Sequence, residues 1–137
     1  MFIWKESYNV DIEQIDNQHR RLFQLGNNIY DIVKLNDNYD HYDEIMTALD
    51  ALKEYTVYHF GTEEKLMKEY NFKKYEDHKI EHDAFIKRIS GFSKKDIDNE
   101  QKEVLLDLLS FILNWIEAHI LGSDMKYREF FHNKGVY

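Results

Sequence analysis

A chain of 137 residues with a formal charge of −8 and no cysteine is long enough for one compact domain and too short for two ordinary ones. The missing cysteines exclude disulfides and thiolate metal sites, and an acidic chain without a basic stripe does not suit nucleic acid or an anionic membrane as partner. No uninterrupted apolar run approaches the ~20 residues that span a bilayer, and MFIWKESYNV lacks a signal peptide's apolar segment, so a soluble cytoplasmic protein is expected.

With no proline and five glycines, long helices are permitted and many-stranded folds are disfavoured. After an N-terminal arm, the first periodic segment carries Ile12, Ile15, His19, Leu22, Gly26, Ile29 and Val33 in alternating steps of three and four. The second carries Ile45, Leu49, Leu52, Thr56, His59, Glu63 and Leu66. The third runs Tyr75, His78, His82, Phe85, Ile89, Phe92, and the fourth Leu105, Leu108, Ile112, Trp115, His119, Gly122. Polar breaks at KLNDNYD, YNFKK and GFSKKDIDNE separate them. Asp11 with Gln14, Asp40 with Asp43, and Asp98 with Gln101 read as helix starts, each with a capping side chain.

These signals predict helices over roughly residues 12–35, 41–69, 74–91 and 99–121, with a short one over 124–132, in a single domain spanning 1–137. The fold class is all-α. Short loops between helices of about 20 residues favour an antiparallel up-down four-helix bundle, here with an N-terminal arm and a short C-terminal helix.

Six polar residues then fall where the pattern demands core: His19, His59, Glu63, His78, His82 and His119. Burying any one without a partner costs roughly 1 to 3 kcal/mol. Up-down topology collects all six at the same end of the bundle, and side chains four apart on a helix project from one face. Imidazole suits iron, zinc, copper or nickel, and carboxylates can bridge two ions. Five imidazoles with one or two carboxylates exceed an ordinary zinc site and suit two metals. His41 and His132 lie off the seams and receive no role, and Glu64, beside Glu63 but off the seam, reads as a solvated neighbour.

The segments IDNQHRRLF, HFGTEEKLM, HKIEH and WIEAHILGSD, with the arm WKESYNVDIEQID, closely resemble the hemerythrin family, particularly its single-domain bacterial members. Myohemerythrin, a member of that family, is a standard example of the up-down bundle. The resemblance covers essentially the whole chain. It implies two iron ions with an oxo or hydroxo bridge that bind dioxygen reversibly, as a peroxide-level adduct at an open iron, for storage, delivery or sensing. It assigns His78, His82 and His119 to one iron, His19 and His59 to the other, and Glu63 and Asp124 as bridges. Phe60, Trp115, Ile116 and Ile120 match positions that line the oxygen pocket, and Tyr127 matches an aromatic beside the centre. Glycine is common in the family at the position of Asp11, proline after the second helix where this chain reads EYNFKKY, and leucine at the position of Ile116.

An oxygen binder rather than an enzyme is the expectation, because oxidising di-iron bundles rely on Glu-x-x-His motifs and anionic ligands whereas neutral imidazoles dominate here. An enzyme acting on peroxide or nitric oxide, and an iron storage or sensing module, are the alternatives. Asp124 poses a problem of phase. Five residues after His119 it is about 140° away from the seam on a regular helix, a position that faces solvent. If it bridges metals, the helix must end, kink or widen near Gly122-Ser123.

Overall fold

The computed structural model describes residues 2–35, 41–91 and 101–137, with side chains from residue 105 in the last stretch. A single 3₁₀ turn at Glu6–Tyr8 precedes α1 (Glu13–Val33), α2 (Tyr42–Glu69), α3 (Tyr75–Ser90) and α4 (Gln101–His119). A five-residue π turn, Ile120–Asp124, joins α4 to a short α5 (Met125–Asn133). No strand occurs among the described residues. α1 packs on α2 and α4, and α2 packs on α3. Stacking of Phe85 on Trp115 and on Phe111 closes the ring between α3 and α4. The expected four-helix bundle is therefore present.

The seams hold with small shifts. All seven first-seam residues are buried, and on α2 Met67 is fully buried in place of Leu66, which is only partly covered. Phe92 and the starts expected at Asp40 and Asp98 lie outside the described residues. α4 buries a wider face than a single seam, adding Leu109, Leu113 and Ile116. Read through the π turn, Leu105–Asn133 is long and apolar enough by length and composition to cross a bilayer, although no uninterrupted apolar run within it is. Asp107 and Glu117 interrupt the run, and its buried leucines and isoleucines form the bundle core.

Asp11 does not cap α1. Ile12 holds the cap position without a side-chain bond, and Asp11 is in the left-handed region at φ 58°. The arm reverses there, so the Asp11 carboxylate turns to Arg128 and its carbonyl accepts from His132 Nε2 at 2.9 Å. Asp16 takes over from within the first turn: its carboxylate accepts from the Val10 and Asp11 N–H groups at 2.8 and 3.0 Å. His132, given no role by the sequence, thus ties the arm to α5.

Two helix ends use the same device. Past α2, Asn71 adopts φ 57°, Phe72 N–H bonds to Met67 O and Asn71 N–H to Lys68 O. Past α5, Gly135 adopts φ 79°, Val136 N–H bonds to Phe131 O and Gly135 N–H to His132 O. A left-handed residue satisfying the last carbonyls in this way ends a helix without proline, and asparagine tolerates that conformation. Phe72, Val136, Phe131, Met67 and Tyr127 form a second apolar cluster with Val10, Ile12 and Ile15, separate from the main core.

α1 and α4 approach closely at Gly26, where a Cβ would sit 2.7 Å from Leu113 Cδ2. Leu113 is itself fully buried and has little room to move. Gly26→Val is expected to destabilise the protein by about 1–3 kcal/mol through overpacking, measured as a lower denaturation midpoint with an unchanged slope. An unchanged midpoint would show that the α1–α4 contact relaxes freely.

Candidate metal centre

One turn of helix separates His59 from Glu63 and His78 from His82, so α2 and α3 each aim two polar side chains at the bundle axis. His19 enters from α1 and His119 from the end of α4, and all six are buried. The π turn delivers the seventh. Met125 N–H bonds back to Ile120 O, five residues earlier, and this one wide turn brings Asp124 beneath His119. Asp124 is fully buried, while Gly122, which the seam placed inward, is exposed. A Cβ at Gly122 would meet nothing within 4 Å, so its small size is not what widens the helix. The turn is held by tertiary contacts: Ser123 Oγ donates to Glu81 Oε2 at 2.6 Å, and Asp124 faces His78, His119 and His19.

Among the described residues, the donors form two groups that share both carboxylates. Glu63, His78, His82, His119 and Asp124 make one, and His19, His59, Glu63 and Asp124 the other. Asp124 Oδ1 lies 2.8 Å from His78 Nε2 and 3.1 Å from His119 Nε2, while its Oδ2 lies 3.1 Å from His19 Nε2. Glu63 divides likewise, with Oε1 2.5 Å from His59 Nε2 and Oε2 3.5 Å from His78 Nε2.

The outward ring nitrogens reveal how these imidazoles are set. His59 Nδ1 donates to Gln18 Oε1 at 2.7 Å, and the Gln18 amide is oriented by its contact with Thr62 Oγ1. His82 Nδ1 donates to Glu64 Oε2 at 2.9 Å and His119 Nδ1 to Glu81 Oε2 at 2.8 Å. A carboxylate or amide oxygen can only accept, so each Nδ1 carries the proton and, in a neutral ring, each Nε2 presents a lone pair inward. Lone pairs then face one another: His82 and His119 Nε2 are 3.0 Å apart, and His59 Nε2 is 2.5 Å from an anionic oxygen. Both His19 nitrogens, Glu63 Oε1 and both Asp124 oxygens are buried without hydrogen-bond partners. Crowded, unsatisfied donors of this kind fit a pair of cations at their centre.

Without metal, protons take that place. Burial opposes charge on His19 and His78, yet Asp124 and Glu63 outweigh it and raise their pKa values to about 9 and about 10. His119 is raised by the same balance of burial against Asp124. Burial prevails at His59 and His82 and lowers them, keeping those rings neutral. Burial would raise Glu63 and Asp124, but the surrounding histidines draw both down.

Comparison with known proteins agrees with this geometry. Residues 10–130 match the family described as "Hemerythrin HHE cation binding domain". The chain is 41% identical over 127 residues to a bacteriohemerythrin of Clostridium acetobutylicum, covering 93% of this chain and 98% of that one. This chain belongs to the hemerythrin family. It is also 32% identical over 127 residues to a hemerythrin-like protein of Naegleria gruberi, across 93% and 91% of the two chains. A wild-type hemerythrin crystal structure superposes with a TM-score of 0.80 at 26% identity, over 94% of this chain and 96% of that one. The hemerythrin domain binds a di-iron centre, and the buried histidine and carboxylate cluster here fits iron ligation.

Of the residues matched to a hemerythrin oxygen pocket, Phe60 and Trp115 pack on candidate ligands. Phe60 stacks on His82 with centroids 3.8 Å apart and rings nearly parallel, and Trp115 stacks on His119 at 4.6 Å. Ile116 and Ile120 are buried; Trp115 is partly exposed. Tyr127 stacks on His78 and its hydroxyl donates to Glu63 Oε2 at 2.8 Å. Sequence reasoning missed Gln18, Glu81 and Ser123, and it mistook Glu64 for a solvated residue. Each is the chain neighbour of a seam residue or of Asp124, but it serves a residue on a different helix, so no spacing within one helix reveals it.

The metal-free protein is expected to lose stability as pH rises from about 7 to about 10. His19 and His78, raised in the folded state, contribute fully below the unfolded histidine value near 6.5 and stop contributing as pH passes their folded values. His59 and His82 are lowered, so their contribution is already complete above about 6.5 and does not offset the loss. Denaturation of chelator-treated protein against pH checks this, and a flat profile over that window would contradict it.

Proposed function

We propose that this chain binds dioxygen reversibly at a di-iron centre and acts as a cytoplasmic carrier, store or sensor of oxygen rather than as an enzyme. His78, His82 and His119 would hold one iron, His19 and His59 the other, with Glu63 and Asp124 bridging. The observation that carries this reading is the unequal pair of donor groups sharing two carboxylates. The His19–His59 side has one imidazole fewer, which leaves room for a small ligand there.

Two irons supply one electron each and an open position for dioxygen. The chain's own residues do the rest. Five imidazoles, held neutral when bound to metal, give the centre little of the anionic charge that supports highly oxidised iron. Phe60 packs on His82 within an apolar core that also buries Ile116 and Ile120, and a dry wall of this kind favours release of oxygen over loss of its reduced forms. Tyr127 holds one oxygen of Glu63 from the side opposite His59. Gln18, Glu64 and Glu81 fix the orientations of His59, His82 and His119.

Anaerobic reconstitution with ferrous iron is expected to load about two irons per chain, with an optical spectrum that appears under oxygen and fades under vacuum. Irreversible oxidation with no oxygenated spectrum would overturn the proposal, and steady turnover of peroxide or nitric oxide would place the chain among di-iron enzymes instead. Glu63→Ala and His82→Ala should abolish the oxygenated spectrum. Glu64→Ala should keep it while weakening iron retention about 10- to 100-fold, because it removes only the partner that orients His82. Normal cycling in Glu63→Ala would reverse the assignment of the two glutamates.

A further inference from the structure

A chain with 26 acidic and 18 basic residues carries, among its described residues, a pocket that runs against its charge. At the metal-bearing end of the bundle, a cavity of about 610 Å³ is lined by Lys73, Lys74, Lys126 and Lys134 around Phe72 and Phe130, with no carboxylate in its wall. The two rings lie 5.1 Å apart, and the Lys134 ammonium sits 5.7 Å from the Phe130 centroid, turned over the ring. Cations around an aromatic floor, at a volume usual for small-ligand sites, suit a planar molecule that carries a phosphate.

The inner wall of this pocket continues to the candidate centre. Phe72 meets Tyr127 edge-on at 6.3 Å. Tyr127 in turn stacks on His78 and donates to Glu63. Packed rings therefore connect a surface cavity to a bridging carboxylate and to an imidazole of the five-donor group.

We propose that this pocket binds flavin mononucleotide and is the entry point through which the reduced flavin returns a ferric centre to the ferrous state, an inference that rests on the di-iron reading above. The chemistry selects a flavin over a nicotinamide. Electrons crossing packed side chains to a buried centre must move singly, and a flavin releases them singly, whereas a nicotinamide delivers a hydride to an atom it touches. One reduced flavin loses two electrons and two protons, the protons go to solvent, and two ferric ions become ferrous.

The binding arm of the test uses the metal-free full-length chain and follows quenching of flavin fluorescence. Flavin mononucleotide should be quenched, riboflavin should bind at least about tenfold more weakly, and Lys73→Glu with Lys134→Glu should weaken the mononucleotide by a similar factor. Phe130→Ala should also weaken it; the lysine variants, on exposed side chains, guard against misfolding of that one. Absence of quenching up to about 1 mM flavin mononucleotide, or equal binding by the double lysine variant, would overturn the proposal. The redox arm mixes ferric, iron-loaded chain with reduced flavin mononucleotide anaerobically and follows loss of the ferric spectrum. Reduction should be at least about tenfold slower in the double lysine variant at unchanged iron content, and equal rates would overturn the entry role. Failure to take up iron at all would remove the di-iron reading, and the entry role with it, while leaving the flavin titration intact, so the two failures are told apart.

Discussion

Two fully buried carboxylates, Glu63 and Asp124, constrain the rest of this molecule. An ionised carboxylate taken out of water costs several kcal/mol unless opposite charge and hydrogen bonds replace its hydration. Here five imidazoles from four helices converge on the pair, and Tyr127 supplies a neutral donor. Both apolar cores touch the cluster, one through Phe60 on His82 and the other through Tyr127 on His78 and Glu63. The apolar cores stabilise the bundle; the polar layer makes it specific.

Orientation in that layer passes around the bundle from one helix to the next. Gln18 on α1 turns His59 on α2, Glu64 on α2 turns His82 on α3, and Glu81 on α3 turns His119 on α4. Each of these groups accepts the outer ring proton and so fixes the inner nitrogen as a lone pair. His19 has no such acceptor on its Nδ1, and its Nε2 faces Asp124 Oδ2 at 3.1 Å. It belongs to the smaller donor group, on the side proposed to receive oxygen.

The cation-free molecule also explains why these residues remain compatible with folding. Protons held by His19 and His78 offset the charge of the two carboxylates at ordinary pH. A site that metal and protons can each neutralise is able to assemble before metal arrives, and metal binding then displaces protons.

Much of this was legible in the sequence, because helical periodicity is local. Steps of three and four place His19, His59, Glu63, His78, His82 and His119 on the faces that also carry leucine and isoleucine, and antiparallel topology puts them at one end of the bundle. Asp124 was legible only through its resemblance to a family, since a regular helix would turn it outward. The π turn that turns it inward is fixed by Ser123 reaching Glu81 and by Asp124 reaching histidines of α1, α3 and α4, contacts that exist only once the helices have packed. Gln18, Glu64 and Glu81, like the reversal at Asp11, depend in the same way on partners distant in the chain. The sequence by itself determined which residues line each helix face; the tertiary structure alone decided which atoms across helices meet, because hydrogen bonds and charge pairs act between faces and leave no period within one.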